Sequence, residues 1–254
     1  MNRISTAQSL LIILFCCVSL ITAHAQPQPT EGIIHFTRTS RWTKIQSALT
    51  FLSKQEKEKM AYMYEGRDEW KENVMLYFNE KGTKYVQGED RANNGYSWRN
   101  ETFFYVRNFE TNRETDAFEI LGKTYIIDDT LSKPNWKILN DLKDVAGHIC
   151  MKAMVEDTIK KQKIVAWFAQ DFIHPGGPER YFGLPGMILE LDINNGAVVI
   201  AADKIEAKKL TNEMELPKKL KGKTLTESAY RQMIYKLVQE RIKAEQNPFW
   251  DIRY

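Results

Sequence analysis

The chain has 254 residues with 36 Lys and Arg against 33 Asp and Glu, a near balance that lacks the concentrated basic footprint of a nucleic-acid binder. Cys16 and Cys17 fall in the first 25 residues, leaving Cys150 as the only cysteine beyond them. An internal disulfide in that remainder is therefore excluded, and stability has to come from a packed core.

Residues 1–25 read as a cleavable export signal. Asn2 and Arg3 make a short charged start, Leu10–Ile21 is mostly apolar, and Ala23 and Ala25 supply the small residues a signal peptidase requires before Gln26. The apolar run is short for a bilayer span. Bulky Leu14 and Phe15 ahead of Cys16 argue against lipid attachment there. Residues 26–254 are expected to form one domain, with no later apolar stretch of membrane-spanning length.

Strands follow in order. Gly32–Thr37 is the first, then Ser53-Lys54-Gln55-Glu56 is a capping box that opens a short helix running to about Gly66. Asn73–Phe78 and Lys84–Gln87 flank a polar turn ending in Gly82, Phe103–Val106 is a further strand, and Phe118–Leu121 and Thr124–Asp128 flank Gly122-Lys123. Asp144–Val155 alternates as one strand, with His148, Cys150 and Lys152 on the face opposite Ile149, Met151 and Ala153. Ile164–Ile173 and Met187–Ile193 come next. Asn194-Asn195-Gly196 is the best hairpin turn, because Asn and Gly tolerate positive φ, and Ala197–Ile205 returns from it. A second capping box, Thr224-Leu225-Thr226-Glu227, opens a long helix with Ala229, Met233, Leu237 and Val238 at helical spacing. The assembly expected is α+β and mainly antiparallel β. It is a curved sheet or half-barrel with a short helix in the N-terminal half and a long C-terminal helix.

One segment departs from strand sequence. Gly183 and Gly186 bracket Leu184-Pro185, downstream of Gly177-Pro178, and Pro185 fixes its own φ while biasing Leu184 toward extended backbone. The physical reading is a rigid corner feeding the next strand. A phosphate cradle is disfavoured, since neither a lysine nor a helix start follows the glycines.

The run Gly183-Leu184-Pro185-Gly186-Met187-Ile188 resembles the signature of the GLPGLI family, exported Bacteroidetes proteins of unknown function. Trp136-Lys137-Ile138, Gly147-His148-Ile149-Cys150-Met151-Lys152-Ala153, Ala166-Trp167-Phe168 and Gly177-Pro178 resemble that family's other elements in order. The resemblance implies an exported envelope protein, in the periplasm or associated with the outer membrane, and it brings no reaction with it.

His148, Cys150, His174 and Trp167 are the candidate binding residues. An i, i+2 His–Cys pair on a strand approaches too loosely for an activated nucleophile. Three scattered ligand-type residues also lack the paired spacings of a zinc site, so no metal, cofactor or catalytic residue is expected. The basic run Lys218–Lys223 reads as a solvated loop before the helix. The function expected is a non-enzymatic binding or carrier module for an apolar or lipid-like ligand. The alternative is an accessory protein of outer-membrane transport machinery, and the third reading is an enzyme or metal-binding protein using Cys150, His148 and His174.

Overall fold

The structure, a computed structural model, describes residues 29–88, 103–217 and 219–254. The export signal and Lys218 lie outside the described residues. Among the described residues there are twelve strands: β1 (Gly32–Arg41), β2 (Glu69–Asn79), β3 (Gly82–Gln87), β4 (Phe104–Asn108), β5 (Arg113–Ile120), β6 (Lys123–Thr130), β7 (Lys137–Val145), β8 (His148–Asp157), β9 (Gln162–Ala169), β10 (Ile188–Ile193), β11 (Val198–Ala207) and β12 (Lys223–Leu225). Three helices accompany them: α1 (Trp42–Ser47), α2 (Lys54–Met63) and α3 (Glu227–Lys243), followed by a 3-10 turn at Pro248–Trp250.

All twelve strands join one open sheet in the order β12-β6-β5-β4-β3-β2-β1-β11-β10-β9-β8-β7. Every ladder is antiparallel except β12 against β6. Successive hairpins account for most of this order, because turns of two or four residues join antiparallel neighbours at little entropic cost. The exception lies in the middle, where β1 pairs with both β2 and β11 and so joins the two halves of the chain.

The core runs across the ladders on one face. Phe36 is opposite Val74, Leu76 opposite Tyr85, Tyr85 opposite Tyr105, and Leu191 opposite Ile200. All are buried, and each apolar side chain removed from water contributes roughly 1.5–3 kcal/mol. Helix α3 closes part of this face. Its Tyr230 meets Phe118 of β5 edge-on at 5.2 Å, while Ile234 and Val238 are buried. Helix α2 does the reverse: its Ser53–Glu56 capping box forms fully, yet none of its residues is buried.

Several elements differ from the sequence reading. Asp144–Val155 is not one strand, because Ala146 and Gly147 both take positive φ (52° and 82°) and turn β7 into β8. The tight turn between β5 and β6 is Leu121-Gly122, with φ of 52° and 71°, rather than Gly122-Lys123. Thr224 lies in β12 and does not cap α3. Thr226 does, its hydroxyl accepting from Ala229 N–H, and Asp129 of β6 accepts from Glu227 N–H. Strand β9 stops at Ala169, before Ile173. Strand β10 is covered on both faces, and its Glu190 is buried against Lys143. No described helix is long and apolar enough to cross a membrane, which leaves strand-built spans unaddressed.

Candidate functional site

The Gly/Pro segment is a knot between β9 and β10. Met187 N–H donates to Phe172 O, Ile188 N–H to Gly176 O, and Gly183 N–H to Pro175 O at 2.7–3.0 Å. Trp136 Nε1 donates to Phe182 O at 2.8 Å. The landmarks Trp136, Gly177, Pro178, Gly183, Leu184, Pro185 and Gly186 therefore meet in one place. Gly183 needs its freedom for a φ of +88°. Gly186 is required for a different reason than a special dihedral: a Cβ there would lie 1.8 Å from Ala169 O. Two backbones approach at that point, and any side chain separates them.

The knot also aims charge inward. Glu179 directly follows Gly177-Pro178 and holds a left-handed φ of 54°, a conformation that costs a non-glycine residue about 1–3 kcal/mol and clusters at functional sites. Its carboxylate takes Arg253 Nε at 2.8 and 3.0 Å and lies 3.4 Å from Arg38 Nε, while Arg38 Nη1 donates to Glu72 at 3.0 Å. Next to it, Arg180 donates from Nε to Asp116 (2.7 Å) and from Nη2 to Glu227 (2.6 Å), and its guanidinium lies over the Tyr230 ring. Arg107 of β4 grips Asp116 from the other side, with one contact at 3.1 Å. Charged pairs this deep hold their geometry because leaving one partner buried alone is costly.

Glu179, Arg180, Glu227, Tyr230 and Arg253 of this network border a cavity of about 360 Å³, the lower range for small-ligand sites. Tyr105, Glu114 and Phe118 contribute from β4 and β5, Ile164 and Ile193 from β9 and β10, Asp157 from the end of β8, Lys160 from the β8–β9 turn, and Tyr230 from α3. Glu179, Arg180, Tyr181, Arg253 and Tyr254 complete the part used below. Burial pushes the Glu114 carboxyl up to about 7 against the pull of Arg107 and Arg180. Burial also pushes the Lys160 amine down to about 8, offset in part by Asp157 and Glu179.

The sequence candidates lie elsewhere. Cys150 is fully buried, and burial, then Asp171, pushes its thiol up to about 12, the opposite of an activated nucleophile. His148 hydrogen-bonds through Nδ1 to the Asp171 carboxylate at 2.9 Å. His174 accepts from Gly176 N–H at Nδ1 and donates from Nε2 to Asn79 O, both at 3.0 Å, between the rings of Phe78 and Phe109. Burial lowers its pKa, so it is a neutral core residue with both nitrogens used. Trp167 lies beneath the ammonium groups of Lys143 and Lys152, each 5.6 Å from its ring. Among the described residues, no group of three or more His, Cys, Asp or Glu converges as a metal site. The residues that sequence reasoning missed are Glu114, Lys160, Glu179, Arg180 and Arg253. Glu179 and Arg180 carried one signal: a charged pair set inside a Gly/Pro motif.

Fold and site together define an open antiparallel β-sheet protein with a cavity of tyrosines and buried ion pairs. Residues 60–232 match the family described as N-glycanase peptide, N-terminal domain (the PNGase F-II N-terminal domain), and the chain belongs to that family. Two structures of PNGF-II share the fold. The P21 crystal form has a TM-score of 0.54 at 14% identity over 82% of this chain, and the C2 form 0.52 at 14% over 81%. The chain spans about a third of PNGF-II's length, 34% and 33% in the two forms. No curated protein sequence matches it.

Proposed function

We propose that this chain is an exported envelope binding module whose ligand occupies the cavity beside Glu114, Arg180 and Tyr181, and that the ligand is polar and saccharide-like. The observation that carries this reading is the lining, where the rings of Tyr105, Tyr181 and Tyr230 stand among ionic groups held by their partners. Aromatic faces pack against sugar C–H groups, and fixed donors and acceptors meet hydroxyls without reorganising. An apolar or lipid-like ligand leaves Glu114, Lys160 and Arg180 desolvated against hydrocarbon, which is costly. Family membership points the same way, since the family's description names an N-glycanase.

The half-barrel reading is supported by the cavity itself. Strand β5 is third and β9 tenth in the sheet order, roughly 34 Å apart if the sheet were flat with spacings of about 4.8 Å. Phe118 and Ile164 from those strands nevertheless border one small cavity. Kinship with the GLPGLI proteins, cleavage before Gln26 and an address in the periplasm or at the outer membrane belong to the same proposal. N-terminal mass spectrometry of envelope-fraction protein is expected to find Gln26 first, and an intact leader overturns the export part.

Calorimetric titration with N,N′-diacetylchitobiose and, separately, palmitate tests the ligand part. Chitobiose is expected to bind, and Tyr181→Ala to weaken it about tenfold, the scale of a lost aromatic contact. Palmitate binding with no response to chitobiose overturns the polar reading in favour of an apolar carrier.

A second reading has one observation of its own. Strand β7 forms a sheet edge and exposes Ile138 and Leu142, an arrangement open to an added strand from a partner. A photo-crosslinker at position 142 that captures an outer-membrane transporter in native envelopes favours this accessory role.

A further inference from the structure

We infer that Glu114 selects the occupant of the cavity by donating a hydrogen bond from its carboxyl O–H. The occupant meets it with a carbonyl oxygen, as the acetamido group of an N-acylated sugar does. The inference rests on the cavity being a ligand site, and it names the contact that gives the site its specificity.

Glu114 is 2% exposed and borders the cavity, yet its Oε1 has no hydrogen-bond partner among the described residues. Two guanidinium nitrogens approach it, Arg180 Nη2 beside Oε1 and Arg107 Nε beside Oε2. Each is 3.8 Å away, beyond hydrogen-bond reach. Both guanidinium ions are directed elsewhere: each donates to Asp116, and Arg180 also donates to Glu227. A buried carboxylate only accepts and needs donors around it, whereas a neutral carboxyl needs an acceptor for its O–H. With two further carboxylates on the same guanidinium ions, this place favours the neutral form. Burial raises the carboxyl first, Arg107 and Arg180 pull it back, and Asp116 and Glu227 raise it further.

The chemistry of the partner follows from what stands beside that O–H. Arg180 shares the lining, and its bonds to Asp116 and Glu227 use two of the five N–H groups a guanidinium carries. The place is rich in donors. An amide carbonyl oxygen brings two lone pairs and no hydrogen, so it suits them all. A ligand hydroxyl there has its own hydrogen turned among other donors. A ligand carboxylate also accepts, but it meets the Asp116 and Glu227 charges that stand on the same guanidinium.

Other groups of the wall titrate too. Burial pushes the Lys160 amine down to about 8, and Asp157 and Glu179 hold it from falling further. Glu119, Glu156, Lys133, Arg231 and Arg253 complete the charged lining. Burial raises the hydroxyls of Tyr105, Tyr181 and Tyr230, which keep their protons near neutral pH. A lysine that turns neutral still donates. A glutamic acid that ionises changes from donor to acceptor, and only that event sets a lone pair against a carbonyl oxygen.

The test is calorimetric titration of the whole chain at pH 6 and pH 8 with N,N′-diacetylchitobiose and with cellobiose. Cellobiose has the same two rings with hydroxyls in place of the acetamido groups. With its carboxyl pushed up to about 7, Glu114 is roughly nine tenths protonated at pH 6 and roughly one tenth at pH 8. Chitobiose affinity should therefore fall about tenfold between them. At pH 6 cellobiose should bind about tenfold more weakly than chitobiose, because a site built around a hydrogen bond rejects the analogue lacking it. Glu114→Gln keeps a donor at both pH values, so its ratio of affinities should be about one. Lys160→Met should retain the ratio of the native protein. Should a variant fail to fold, the two sugars on the native protein decide alone. Cellobiose binding as well as chitobiose at pH 6, a flat profile for the native protein, or a slope that survives in E114Q overturns the Glu114 inference while the cavity reading stands. Absence of binding by both sugars at both pH values overturns both.

Discussion

A free glutamate titrates near 4.5, whereas Glu114 in the folded chain is pushed up to about 7. Between those values the folded protein keeps a proton that the unfolded chain gives up. Stability contributed by this group is therefore complete below pH 4.5 and lost as pH rises through 7. The whole effect is on the order of 3 kcal/mol. Urea unfolding is expected to find Glu114→Gln close to native stability at pH 4.5 and more stable than native by up to about 3 kcal/mol at pH 8. Gly186 makes a contrasting residue, because its constraint is steric and independent of pH. Gly186→Ala should destabilise by about 3 kcal/mol, the upper end for overpacking, since even one carbon meets Ala169 O. Thermal unfolding checks it. Cys150 completes the set. Its burial and raised pKa predict that a thiol reagent labels it only as fast as the protein unfolds, which mass spectrometry of pulse-labelled protein measures.

At the scale of elements, turn chemistry decided what the sequence revealed. Asn194-Asn195-Gly196 is legible because all three residues adopt positive φ (52°, 54° and 82°) and two residue types there accept it readily. Ala146-Gly147 makes a similar demand, but alanine gives no warning of it, so Asp144 and Val145 read as the start of β8 while the rest of β7 was not read as a strand. The same logic yields a prediction. Ala146→Gly removes the Cβ strain of a left-handed residue and should stabilise by about 0.5–1 kcal/mol despite the added chain entropy, read as a rise in melting temperature. The start of α3 was misplaced for a related reason. Thr224 and Thr226 both precede acidic or apolar residues suited to a cap, and only the pairing of Lys223–Leu225 with β6 selects Thr226.

At the scale of the molecule, the strand-rich character followed from local pattern, while the site did not. Arg180 finds Asp116 64 residues away and Glu227 47 away, and Glu179 finds Arg253 74 away. No periodicity encodes such meetings. They depend on how the sheet brings β4–β5 toward the β9–β10 connection, which only tertiary packing sets. The half-barrel reading makes Arg180 a tie between halves of a sheet whose strands are otherwise distant in the pairing order. Arg180→Met keeps much of the side chain's apolar stem but leaves Asp116 and Glu114 with Arg107 alone and takes from Glu227 its guanidinium. A cost of about 3–5 kcal/mol is expected for breaking such a buried network. The more telling readout is where protection is lost. Amide exchange should accelerate in β5 and α3 as well as around the 176–187 knot, because all three lean on one guanidinium. A surface control, Lys54→Met, removes only an exposed i, i+4 pair with Glu58 and should change stability by less than about 0.5 kcal/mol. Exchange that rises in the knot alone would mean that the two halves stand independently, and that the cavity between them owes its shape to something other than the ion-pair network.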